Sequence, residues 1–122
     1  MYPFTRQVQL AADFAKNALS RLAGREPPGF EDVETTVPQL QERIAGALAV
    51  LDTIRAAEVD GSEGREIILR IGGQNLSFTG QAYLLHFALP NFFFHLTTAY
   101  AILRKNGVQI GKRDFLGVIP GM

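Results

Sequence analysis

"LPNFFFHLTTAY", residues Leu89–Tyr100, decides how this chain folds. A proline, three consecutive phenylalanines and a histidine stand inside an apolar block that runs from about Tyr83 to Leu103. Read as a helix, the block begins at Gly80 or Gln81 under a Thr79 cap, ends at Lys105 and stops at Asn106-Gly107. Pro90 lacks the N–H that would bond the carbonyl of His86, which predicts a bend rather than an end. The phenylalanines read as core, because base stacking needs a basic stripe and none lies beside them. A membrane span needs about 20 predominantly apolar residues. Here His86, Pro90, Asn91, His95 and two threonines break the block. The helix is nonetheless apolar on nearly every side, so nearly every side needs cover.

Working outward, Pro3 to Ala23 carries Val8, Ala11, Ala12, Ala15, Leu19 and Leu22 at three- and four-residue spacing, which predicts a first helix. Arg6, Gln9, Asp13, Lys16 and Asn17 lie off that stripe and read as its polar side. Gly24 is a C-terminal stop, followed by the Pro/Gly-rich connector "GREPPGFEDVE". Thr36 and Gln39 form a capping box for a second helix, with Pro38 in its first turn. Leu40, Ile44, Ala47, Leu48 and Leu51 carry that helix to about Ile54. After a turn region, "REIILRI", "GGQN" and "LSF" spell strand, turn and strand of a β-hairpin. In the tail, residues 108–122, Ile110, Phe115 and Leu116 are placed to tuck against the body before the chain frays. The prediction is a single, mainly α domain over 1–122: three long helices, with a hairpin before the last. Two partner helices cannot cover the last one, so a fourth helix or another chain must.

Composition narrows the function. The 122 residues carry twelve acidic and twelve basic side chains, so no net positive field draws the chain to nucleic acid. Cysteine is absent, which excludes disulfides, thiolate nucleophiles and cysteine-ligated metal. The N-terminus has no basic stretch followed by an apolar core, so it is not a signal peptide, and a cytoplasmic protein is the expectation.

No serine stands in a triad setting, no two acids are spaced for acid–base work, and "GGQN" is too short for a phosphate loop. His86 and His95 are the two histidines. Nine residues apart, they fall on opposite sides of a straight helix. His95 does share a face with Asn91 at i−4. That pair is either a buried histidine with one hydrogen bond, beside an asparagine bonding carbonyls freed near Pro90, or a small-ligand site.

"FTRQVQLAADFAKNALSRLAG", "FEDVETTVPQLQERI" and "LPNFFFHLTTAYAILRKNGVQIGKRDFLG", with the hairpin between them, resemble an uncharacterised bacterial branch of the DinB-like four-helix-bundle superfamily. That superfamily includes thiol-dependent transferases and isomerases such as the mycothiol-dependent maleylpyruvate isomerase. The resemblance implies a DinB-like up-down bundle in which this chain starts at the second helix and lacks the first. It also implies a divalent-metal site, zinc or nickel, built from one ligand on the early helix and a His-x-x-x-His pair on the last. Carried over, those positions fall on Asp13, Asn91 and His95. Asparagine is a poor ligand for either metal, so the set reads as a degraded site. The resulting expectation is a non-enzymatic, homodimeric bundle that binds a small molecule or its own copy. The alternative is a metal-dependent transferase or hydrolase using the same three residues.

Overall fold

The computed structural model describes all 122 residues. Three long helices carry it: α1 (Phe4–Leu22), α2 (Val37–Asp52) and α4, which runs unbroken over 80–105. A short helix α3 (Ala56–Val59) and a 3₁₀ turn (Ser62–Gly64) lead into a hairpin of β1 (Glu66–Ile71) and β2 (Gln74–Thr79). A last short helix, α5 (Lys112–Leu116), ends the chain. No helix is long and apolar enough to cross a membrane.

Local chemistry sets the boundaries. Thr36 and Gln39 close the capping box of α2 in both directions, and the Thr79 side chain accepts from the Ala82 amide at the start of α4. Gly24 and Gly107, at φ +74° and +88°, end α1 and α4 in the left-handed conformation that glycine adopts at least cost.

The hairpin turn is tighter than "GGQN" predicts. Gly72 and Gly73 alone make it, both with positive φ, while Gln74 and Asn75 already pair in the strand, Ile71 opposite Gln74. Pro90 produces no break. Backbone from Leu84 to Ala88 widens into a π turn just before it, and that change of register absorbs the missing donor.

Helix α1 is the centre of the molecule and shows three faces. Gln7, Phe14 and Ala18 look to α4; Gln9, Asp13 and Lys16 look to α2 and the connector; Val8, Ala12 and Ala15 look to neither. α1 packs on both long helices, while α2 and α4 scarcely touch. The densest core sits at one end, where Ile67 and Leu69 of β1 press Ala18 and Leu22 against Tyr83 and Ala88.

Gln9 and Lys16, on the polar side of α1, are buried because α2 and the connector close over them. One expectation fails here. The phenylalanine run is not core: Phe93 and Phe94 are 49% and 55% exposed, and Phe92 is half-buried. The cover that α4 needs on that side is not supplied by the rest of the chain.

Candidate functional site

His95 projects from α4 onto α1 and is 8% exposed. Its Nδ1 lies 2.7 Å from Oε1 of Gln7, which is 1% exposed. The Gln7 amide nitrogen donates to the Tyr2 carbonyl at 3.1 Å, which leaves Oε1 as the acceptor facing the ring. The imidazole therefore donates from Nδ1, and Nε2 carries the lone pair. Phe14 stacks on the ring at 5.6 Å and 12°, with the Phe94 ring edge-on at 5.2 Å. Burial, with the nearby positive charge of Arg6, holds the His95 pKa below its ordinary 6.5. The residue is thus a neutral, oriented base.

Asn91 is turned elsewhere. Its amide donates to the Phe87 carbonyl at 2.7 Å, four residues back at the end of the π turn, as expected of an asparagine beside Pro90. Asp13 lies on another face of α1 altogether. Arg43 forks onto its two oxygens at 3.0 and 2.9 Å, and Lys16 stands 3.6 Å away. Asp13, Asn91 and His95 thus meet three different partners and do not converge. No group of three histidine, aspartate or glutamate side chains is disposed to hold a metal ion.

Arg43 is the hub the sequence did not reveal. Its side chain is 1% exposed and also reaches Asp32 at 2.9 Å, Glu34 at 2.8 Å and the Glu31 carbonyl. Burial alone would raise the Glu34 carboxyl, but hydrogen bonds from Gln9 and Arg43 and the Arg43 charge outweigh it and hold it low. Burial likewise opposes the charge on Arg43, and the carboxylates of Asp13, Asp32 and Glu34 more than restore it. Chemically this is a clamp. It fastens the connector across α1 and α2, with the Phe30 ring under the Lys16 ammonium at 3.9 Å.

A groove of about 560 Å³ is floored by α1 between α2 and α4. Sixteen of its seventeen lining residues are hydrophobic, Asp114 being the exception. Val8, Ala12 and Ala15 form the floor, Ile44 and Leu48 one wall, and Phe92 and Leu96 are part of the other. Ile44 and Leu48 remain 41% and 55% exposed. The groove is thus an apolar surface left open to solvent.

Residues 1–116 match the family model for a domain of unknown function, DUF1993. The chain belongs to this family. A crystal structure of a DinB family member protein from Shewanella denitrificans superposes on the DUF1993 chain with a TM-score of 0.89 and 40% sequence identity. The match covers all of this chain and 69% of the Shewanella one. No protein among the curated ones compared matches it. The fold is therefore the DinB-like bundle implied by the resemblance, with the hairpin ahead of the last helix.

Proposed function

We propose that this DUF1993 chain works by binding rather than by metal-assisted catalysis, and that a fourth, amphipathic helix fills its groove. The apolar groove carries the reading. A folded monomer of 13.4 kDa exposes about 6,500 Å² by the usual size scaling. This chain exposes 8269 Å². The excess is larger than the roughly 800 Å² that each partner contributes to a standard interface.

The occupant is argued from shape and length. Ala11, Ala12 and Ala15 keep the groove floor low, so another helix can approach α1 at the 8–10 Å spacing of packed helices. The Shewanella relative has close to a third of its chain outside the match, enough for a helix along the whole groove. On this reading Asp13, Asn91 and His95 are structural: Arg43 takes both Asp13 oxygens, and Asn91 and His95 are held by the Phe87 carbonyl and Gln7 rather than aimed at a common point.

Calorimetric titration tests the proposal, using the unmatched part of the Shewanella chain as a peptide. Saturable one-to-one binding that raises the melting temperature, and that Ala12→Trp abolishes, is the expected result. A monodisperse monomer that ignores the peptide overturns it. A homodimer by light scattering that also ignores the peptide overturns the fourth helix in favour of self-association. Stoichiometric zinc or nickel in protein purified without a chelating column overturns the non-catalytic reading.

A further inference from the structure

On the side of the molecule where α1 ends and β1 begins, a polar cleft of about 300 Å³ is lined by Arg21, Arg25 and Arg65. We propose that it binds a small phosphate-type oxyanion.

The three arginines are not equivalent. Arg25 spends its charge on Glu58, reaching both carboxylate oxygens at 2.8 and 2.7 Å, and on Thr53. Arg21 donates to the Tyr83 hydroxyl at 3.0 Å, a neutral partner, which fixes the side chain and leaves its charge uncompensated. Arg65 makes neither an ion pair nor a side-chain hydrogen bond, and its guanidinium rests on Gly24. A side chain at Gly24 would meet that guanidinium, its Cβ only 2.4 Å from Nη1. Glu26 and Glu66 also line the cleft but pair with none of the three. Two unspent guanidiniums, one anchored and one seated on a glycine, are suited to the forked recognition of an oxyanion.

Backbone amide shifts during titration with inorganic phosphate test this, with chloride exchanged to hold ionic strength constant. Saturating shifts at Gly24 and Arg65 are expected. Arg65→Ala, at an exposed position, should weaken phosphate about tenfold while leaving the melting curve unchanged. Shifts that grow linearly without saturating, or that are the same in Arg65→Ala, overturn the site.

Discussion

His95 and Gln7 are 88 positions apart in sequence and are joined by one short hydrogen bond. Replacing His95 with alanine leaves Gln7 Oε1 buried without its donor and removes the ring stacked on Phe14. A loss of about 1–3 kcal/mol should appear in urea denaturation, and unchanged stability would show that the pair carries no structural weight. The same residue predicts a pH response. Burial lowers the folded-state pKa of His95, so the unfolded chain binds the proton more readily. Stability should be full above the ordinary value of 6.5 and should fall as the pH drops below it towards the folded-state pKa. The lowered carboxyl groups, Glu34 and Glu58, act in a separate window, beginning near their ordinary 4.5 and extending downward. A denaturation midpoint that does not move between pH 7 and 5.5 would contradict the assignment. The histidine was legible in sequence as one of two, and its neighbour Asn91 as the residue serving the carbonyls near Pro90. Gln7 was not singled out, yet a signal was there: it heads the series Gln7, Ala11, Phe14, Ala18, Leu22 at helical spacing. A polar residue within such a series is one the fold must satisfy.

At the scale of elements, the junction of hairpin and α4 is the tightest in the molecule. Gly80 opens α4, and a Cβ there would stand 1.9 Å from the Ser62 carbonyl oxygen and 3.4 Å from Leu22. The obstacle is backbone, which cannot swing aside. Gly80→Ala should therefore destabilise by about 1–3 kcal/mol, the range for forcing extra volume into a packed site, despite alanine's better helix propensity. Thr79→Ala, which removes only the cap, should cost about 1 kcal/mol. A Gly80→Ala protein that melts at or above the parent temperature would rule out the clash. The elements themselves were legible because caps and periodicity are local: Thr36 with Gln39, Thr79, Gly24 and Asn106-Gly107 all stand where the helices begin and end. Burial was less legible. Lys16 and Gln9 read only as the polar side of α1, and the return of the connector, held by Arg43, puts them inside. That is a long-range event, which periodicity along one helix cannot register. The phenylalanine run fails in the other direction: its composition asks for cover that the other elements of the chain do not provide.

For the whole molecule, the balance between a dense end and an open groove has a thermodynamic signature. Only 18 of 122 residues are buried, and the principal cluster lies at the hairpin end. The heat capacity change of unfolding follows the apolar area newly exposed to water, so surface already wet in the folded state contributes nothing. A fully packed domain of this length should show about 1.5–1.8 kcal/mol/K. With Ile44, Leu48, Phe93 and Phe94 about half exposed, the isolated chain should fall below that range in scanning calorimetry at low concentration. Filling the groove should reverse the deficit: with the unmatched Shewanella segment bound, the value should rise into the range, and the melting temperature should rise with the concentration of that peptide. If the groove stays open while the peptide binds elsewhere, the melting temperature responds but Ala12→Trp does not block the gain. A full-sized heat capacity change for the isolated chain, independent of its concentration, would mean that the groove closes on itself. Concentration-dependent values without added peptide would assign the cover to a second copy of the same chain.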